Sequence, residues 1–164
     1  MVLGSAASAE ADALVRACAP RFDTPANDPI LIAGGKEAGA ACRELRALAF
    51  PRGLPTSEAV STTAGELPAR WLIHVAIPVY ALQSDRLYQL TASYRSVLRV
   101  ADELGARALA LQPLGSAAPY WPLDQAIHAA FSTLLNSLTQ VRETVLYVPT
   151  DQALQAYSEA LSRQ

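Results

Sequence analysis

The sequence predicts an α/β protein with a largely parallel central sheet. Short apolar runs alternate along the chain with longer segments of helical periodicity, and this alternation is typical of such sheets. The chain has 164 residues, of which 51% are hydrophobic and 17% are charged. Because a chain of this length and composition can bury one substantial core, we expect a single domain over residues 1–164 and exclude disorder for its bulk.

Five runs are predicted as strands because each is short and apolar or rich in β-branched residues. They span residues 12–15, 58–63, 71–76, 107–111 and 144–148. Runs 58–63 and 71–76 flank a turn signal at Ala64-Gly65, so we expect them to be neighbours joined by a hairpin-like connection. Residues 20–29 contain three prolines and are predicted as a loop.

Four helices are predicted, over residues 37–49, 85–105, 122–138 and 151–161. The second is the clearest, because its apolar residues recur at steps of three and four. Ser84 or Asp85 can cap its start, and Gly105 stands where a helix-terminating glycine belongs. In the helix that begins at Pro122, the residues expected to face inward are Ile127, Phe131, Leu134, Leu135 and Leu138.

The common cofactor and metal motifs are missing from the sequence. It contains no G-x-G-x-x-G and no phosphate-binding P-loop, and its histidines and cysteines form no zinc pattern, so we predict neither a cofactor nor a metal. His74 lies in an apolar run, which favours a hydrogen-bonded core histidine over a catalytic base. Cys18 and Cys42 are predicted as small buried residues in a reducing compartment.

The net charge and the lack of targeting signals argue against nucleic-acid and membrane partners. The net charge of −2 gives no electrostatic footprint for nucleic acid. The N-terminus has no signal-peptide pattern, and no apolar run approaches the length of a membrane span, so we expect a cytoplasmic protein without a membrane partner. Loop 112–121 follows a predicted strand and precedes a helix, which makes it a candidate anion site.

Several ordered motifs resemble those of the macro domain family. Residues 53–60 read G-L-P-T-S-E-A-V and residues 63–74 read T-A-G-E-L-P-A-R-W-L-I-H. Members close to bacterial O-acetyl-ADP-ribose deacetylases carry G-L-P-T-G-E-A-V followed by T-x-A-G-x-L-P-A-R-x-V-I-H. Residues 120–124, Y-W-P-L-D, resemble the segment after the family's second phosphate loop. The resemblance implies a three-layer α/β/α sandwich with a mixed sheet and a cleft for ADP-ribose.

The same resemblance shows departures at the ligand site. Ser5 stands where the family has the aspartate that accepts the adenine amine. Arg16 and Ala19 replace the two asparagines of N-A-A-N, which hold the distal ribose and the catalytic loop. The counterpart of the glycine-rich phosphate loop lies within residues 20–29 and has no glycine. The cleft residues expected from the resemblance are Ser5, Arg16, Ala19, Leu114, Gly115, Ser116, Ala117, Ala118 and Tyr120; no catalytic residue is predicted.

Three hypotheses follow from these departures. The first is a degenerate macro-type module that binds an ADP-ribose-like or other anionic nucleotide with weak or no hydrolase activity. In it, Arg16 either faces an anion, fills the cleft or points to solvent. The second is an active ADP-ribosyl hydrolase or deacetylase with a rearranged loop. The third is a homodimer through a sheet edge, because only residues 1–3 remain for the first strand.

Overall fold

In the computed structural model, which describes residues 1–81, 85–116 and 121–163, six strands form one sheet. In chain order they are β1 (Val2–Leu3), β2 (Ala11–Cys18), β3 (Ala59–Thr63), β4 (Ala69–Ala76), β5 (Ala108–Leu111) and β6 (Glu143–Val148). Across the sheet the order is β1-β6-β5-β2-β4-β3. Every pairing of these strands is parallel except β3 with β4. The predicted mixed, largely parallel sheet is therefore confirmed.

Five helices cover the two faces of this sheet in the described residues. They are α1 (Pro29–Ala33), α2 (Gly35–Ala49), α3 (Leu87–Leu104), α4 (Leu123–Leu134) and α5 (Asp151–Leu161), and a short 3₁₀ turn spans Ala6–Ser8. Helices α1 and α2 pack on one face, and α3, α4 and α5 pack on the other. This is the expected three-layer α/β/α arrangement. None of the helices in the described part of the chain has the length and apolarity needed to cross a membrane.

Strand β2 lies at the centre of the sheet and is buried on both faces. Successive side chains of a strand point to opposite faces. Ala13 and Val15 accordingly join the core under α3 and α4, whereas Leu14 joins the core that includes Leu31 of α1. Arg16 is two residues beyond Leu14, so the strand period places this arginine on the α1 and α2 face. A charged side chain is thus directed into the protein interior.

The predicted hairpin-like connection and the described signals at the two ends of α3 are confirmed. Thr63 of β3 pairs with Trp71 of β4 across the predicted hairpin-like connection. The Asp85 carboxylate accepts the backbone N–H of Leu87 at 3.0 Å, at the start of α3. Ser84, the other candidate cap, lies outside the described residues. Helix α3 ends at Leu104, and the following Gly105 caps it in the left-handed conformation.

The predicted inward face of α4 is partly wrong. Phe131 is buried, but Leu135 is 49% exposed and Leu138 is fully exposed. The helix ends at Leu134, and the N–H groups of Asn136 and Ser137 then both turn back to the carbonyl of Thr133. Apolar residues continue the helical spacing beyond the point where the backbone leaves the helix, so the periodicity overestimates the helix length.

Candidate ligand cleft

A cleft of about 240 Å³ lies at the carboxyl ends of β2 and β5. Its walls come from residues 15–17 of β2, Pro25, residues 28–30, Ile77, and residues 112, 113, 115 and 116 after β5. Ligands of open α/β sheets bind beyond the carboxyl ends of the strands, where successive loops diverge. The cleft therefore occupies the position at which such a fold binds small molecules.

Arg16 forms the floor of this cleft and is 2% exposed. Its Nε donates to Oδ2 of Asp28 at 2.6 Å, and Nη2 donates to the carbonyl oxygen of Asp23 at 2.8 Å. Its Nη1 lies 3.4 Å from Nδ1 of His74 and 3.9 Å from the sulfur of Cys42. One guanidinium thus joins β2, the following loop, β4 and α2. Its charge is compensated by a carboxylate from the same cleft.

Asp28 is held as firmly as its arginine partner. Its Oδ1 accepts the backbone N–H groups of Ile30 and Leu31 at 3.0 and 3.2 Å, so this carboxylate caps α1. Pro29 occupies the first position of α1, where a missing N–H costs nothing. Asp28 therefore accepts three hydrogen bonds, one of them from a buried guanidinium.

His74 lies behind Arg16, fully buried on β4. Because an arginine can only donate, Nδ1 of His74 accepts from Arg16, and Nε2 therefore carries the proton. Nε2 lies 2.8 Å from Oγ1 of Thr62, which in turn donates to the carbonyl of Thr63. Burial, together with the positive charge of Arg16, lowers the pKa of His74 to about 3. The prediction of a hydrogen-bonded core histidine is confirmed.

The loop between β2 and α1 is anchored by Phe22 as well as by Arg16. Phe22 is completely buried, and its backbone φ is 53°, a value that residues other than glycine rarely adopt. Its ring packs edge-on against His74 and Phe50, with centroid separations of 5.4 and 6.1 Å. A proline-rich segment that lacks glycine is thus fixed by one aromatic side chain and one arginine, without the backbone freedom of a glycine-rich loop.

The loop that follows β5, which we call the second loop, is anchored by a hydrogen bond to a buried tyrosine. The backbone N–H of Leu114 donates to the hydroxyl of Tyr94 at 2.8 Å, and both residues are fully buried. Gly115 has φ +87°, and a Cβ atom there would lie 2.7 Å from Cδ1 of Trp121. The Trp121 indole donates to the carbonyl of Pro78 at 3.0 Å. Gly115 therefore allows the indole to lie directly against the loop backbone.

The structure brings together only part of the set predicted from sequence. Arg16, Gly115 and Ser116 line the cleft. Ser5 is exposed, and its hydroxyl accepts the N–H of Ala7 at the start of the short 3₁₀ turn. Ala19 is also exposed, whereas Leu114 is fully buried. These three do not line the described cleft. Ala117, Ala118 and Tyr120 lie outside the described residues. That any of the nine contacts a ligand stays a prediction.

Sequence reasoning missed Asp28, the carboxylate of the cleft. The signal was present, since Asp-Pro is a common start of a helix, with the aspartate as the cap and the proline in the first turn. Ile77 and Pro25 were also missed as wall residues. They carry no chemical signal, and only the fold brings them into the lining of the cleft.

The two cysteines are both free and buried. Burial raises the pKa of the Cys18 thiol to about 12 and raises the pKa of Cys42 as well. Both thiols are therefore protonated at neutral pH, and their predicted role as small buried residues is confirmed. Within the residues that the structure describes, no cluster of three or more histidine, cysteine or acidic side chains could hold a metal ion.

The molecule is thus an α/β/α sandwich with a largely parallel sheet and a cleft at the carboxyl ends of two of its strands. Residues 26–130 match the sequence profile of the macro domain. A macro domain-containing protein of Streptomyces coelicolor is 37% identical over 171 residues, covering 98% of this chain and 96% of that protein. Another, from Streptomyces griseus, is 43% identical over 118 residues, covering 72% of this chain and 67% of that protein. The chain belongs to the macro domain family, as its motifs suggest.

Solved structures agree on the fold. The Oceanobacillus iheyensis macrodomain with ADP superposes with a TM-score of 0.90 at 21% identity, covering 98% of this chain and 88% of that one. The Trypanosoma brucei macrodomain in complex with ADP gives a TM-score of 0.80 at 22% identity, covering 98% of this chain and 67% of that one. At this level of identity, the likeness concerns the fold alone.

Proposed function

We propose that this chain is a macro-type binding module whose cleft takes an ADP-ribose-like nucleotide weakly and does not hydrolyse it. The observation that carries the proposal is the ion pair between Arg16 and Asp28, 2.6 Å from Nε to Oδ2, in the floor of the cleft. Family membership and the ADP bound in similar folds support the nucleotide class. Because Arg16 and Asp28 are already bound to each other, their arrangement supports the absence of hydrolase activity.

Hydrolysis needs a group that can take a proton from water or give one to the leaving group. Among the described residues that line the cleft, Arg16 and Asp28 are the only ones with ionisable side chains. Asp28 already accepts from Arg16 and from two backbone N–H groups. His74 is neutral, buried behind Arg16 and hydrogen-bonded through both ring nitrogens. Neither group is arranged as a general base.

Weak binding follows from the same arrangement. The Arg16 charge is compensated by Asp28, and its other N–H groups face Asp23, His74 and Cys42. An incoming phosphate would therefore have to compete with partners already in place. Losing several ligand contacts of about 1 kcal/mol each moves a micromolar dissociation constant toward the millimolar range. Gly115 also lines the cleft, but the space that its missing side chain leaves is taken by the Trp121 indole, so it does not offset these losses.

One observation favours the competing function, an active hydrolase with a rearranged loop. Asp28 lines the cleft and its side chain is 12% exposed, so a carboxylate edge faces the ligand space. In this alternative, that edge would orient the attacking water. Catalytic turnover of an ADP-ribosyl substrate by the unmodified protein would support this alternative.

The test is calorimetric titration with ADP-ribose and with ADP, paired with release assays on O-acetyl-ADP-ribose and on a mono-ADP-ribosylated protein. We expect dissociation constants of about 0.1–1 mM and no product above background. Ala17→Phe, at an exposed wall position of the cleft, should abolish binding, and Ala49→Phe, at an exposed position outside the cleft, should leave it unchanged. Low-micromolar affinity or catalytic turnover would refute the proposal.

Two further proposals concern the setting of the protein. We place it in the cytoplasm, because both cysteines are free and buried, as is usual in a reducing compartment. We also propose a homodimer through β1, an edge strand whose residues Val2 and Leu3 are 44% and 46% exposed. Light scattering should then give twice the mass of one chain, and a monomeric mass at high concentration would rule out the dimer.

A further inference from the structure

A second and larger concavity lies on the other side of the loop that walls the cleft. It is formed by Pro20 and Arg21 together with residues 48–56, and we call it the basic groove. Its volume is about 810 Å³, against about 240 Å³ for the cleft, and the two share no lining residue. It is therefore a separate surface from the one to which the proposed nucleotide binding is assigned.

The groove is built before any partner arrives. The Nε of Arg46 donates to the carbonyl of Arg21 at 2.9 Å, and the ring of Phe50 packs against the buried Phe22. Gly53 has φ +100°, and a Cβ atom there would overlap the carbonyl oxygen of Pro20, so the two walls approach closely at this glycine. A preformed surface loses little conformational entropy on binding, which favours affinity.

The charge of the groove opposes that of the molecule. The chain as a whole carries −2, yet Arg21 and Arg52 line the groove and none of its described lining residues is acidic. Arg21 lies 3.2 Å from Asp23, but both side chains are well exposed, and such a pair contributes little. Arg52 is exposed and forms no ion pair with any described residue. An acidic partner matches this surface.

The apolar part of the groove indicates a peptide. Leu48 is 79% exposed beside Pro51 and Pro55, which are also exposed. Single-stranded nucleic acid is held by aromatic faces on which bases stack. Phe50 is the aromatic residue of the described lining, and it is half-buried against Phe22. The groove therefore offers two arginines together with aliphatic and proline surface. A peptide that carries carboxylates on either side of an apolar side chain matches both features.

We propose that the basic groove docks an acidic polypeptide segment of a partner protein, one that carries at least one large aliphatic side chain between its carboxylates. Arg21 and Arg52 pair with the carboxylates, and Leu48 contacts the aliphatic side chain. The loop of residues 19–28 separates this segment from the cleft, so docking does not require the nucleotide site to be occupied. This assignment is independent of the nucleotide proposed for the cleft.

The test uses a fluorescein-labelled oligoglutamate peptide with two central leucines, titrated with the intact protein by fluorescence polarisation. A twin peptide with lysine for each glutamate serves as the charge control. We expect saturable binding of the first peptide alone, weakened by added salt because the contacts are exposed charges. The double variant Arg21→Glu/Arg52→Glu should weaken it by about tenfold or more, whereas Arg95→Glu, on the exposed surface of α3, should leave it unchanged.

A second pair of variants tests the apolar contact. Leu48→Glu should weaken peptide binding, and Leu138→Glu, at a fully exposed leucine elsewhere, should not. Circular dichroism confirms that each variant is folded, and amide chemical shifts should change at Gly53 and Thr56 and stay constant at Gly115 and Ser116. The proposal is overturned if no saturable binding occurs, if the lysine twin or an oligodeoxythymidine binds as tightly, or if the shifts map to the cleft.

Discussion

Arg16 and Asp28 face each other across 2.6 Å inside the protein, twelve residues apart in the chain. The arginine is 2% exposed and the aspartate side chain 12%. Taking two charges out of water is costly, and their attraction compensates only with close geometry and with further hydrogen bonds to both groups. Here each partner makes further hydrogen bonds. Arg16 donates to the carbonyl of Asp23 and to His74, and Asp28 accepts the first backbone N–H groups of α1. The pair therefore fixes the loop that separates the cleft from the basic groove.

Removing the arginine should destabilise the fold strongly. Arg16→Met leaves the Asp28 carboxylate without its cation, and breaking a buried pair in this way costs about 3–5 kcal/mol in the free energy of unfolding. The double variant Arg16→Met/Asp28→Asn should recover a substantial part of that loss, since the asparagine keeps the helix cap without an unpaired charge. Urea unfolding measures all three proteins, with Arg95→Met as the surface control. A loss below about 1 kcal/mol for Arg16→Met would contradict a structural role for the pair.

His74 should make stability depend on pH. Its folded pKa is about 3, against 6.5 for a free histidine, so the unfolded chain binds the extra proton as pH falls below 6.5. Stability from this group is complete above pH 6.5 and declines toward pH 3, by about 1.4 kcal/mol per pH unit within that window. Unfolding free energies measured from pH 7 to pH 5 should therefore fall in the wild type.

The matched variants separate His74 from other titrating groups. His74→Gln should flatten the decline between pH 7 and 5, and His128→Gln, at the exposed histidine of α4, should leave it intact. The backbone N–H groups of Arg107 and Ala108 lower the pKa of Asp12, so the stability that this carboxylate contributes is constant above its ordinary pKa of 3.8 and is lost only at lower pH, outside the window of pH 7 to 5. An unchanged slope in His74→Gln would show that the histidine is not buried in its neutral form.

Gly115 should be intolerant of any side chain, for two separable reasons. Its φ of +87° strains any other residue, and a Cβ atom would meet the Trp121 ring. Gly105 has φ +69° and open space around the corresponding Cβ position, so Gly105→Ala reports the backbone strain alone. We expect Gly115→Ala to lose about 1–3 kcal/mol more than Gly105→Ala and to shift the tryptophan emission, which Gly105→Ala should not do. Equal losses and identical spectra would mean that Trp121 does not contact the loop.

Restoring one asparagine should change ligand preference. Ala19 stands at the position of the second asparagine of the family's N-A-A-N motif, whose two asparagines hold the distal ribose and the catalytic loop. Ala19 is exposed and lies outside the described lining of the cleft, where a longer amide side chain has room to reach a ligand. Ala19→Asn is therefore expected to leave stability unchanged and to tighten ADP-ribose about two- to tenfold, with no gain for ADP. Calorimetry on both ligands measures the ratio, with Ala49→Asn as the control. An equal gain for both ligands would place the new amide away from the ribose.

The sequence predicted the layers of the fold because they depend on local periodicity. The run of apolar residues in β4 and the three-four spacing of α3 are visible without knowing any partner. Leu138 shows where this reasoning fails, since the spacing persists after the backbone has left the helix. For the site, the family motifs predicted that position 16 matters, but not what its arginine does. Its partners Asp28, His74 and Cys42 come from three other segments, and no sequence period connects them.

The buried pair also constrains how the chain can evolve. An arginine at position 16 is tolerated only where a carboxylate already stands at position 28, because otherwise its charge would be buried alone. With both present, replacing either one alone leaves the other charge without its partner and lowers stability. The two positions are therefore expected to change together, and single substitutions at either one are disfavoured.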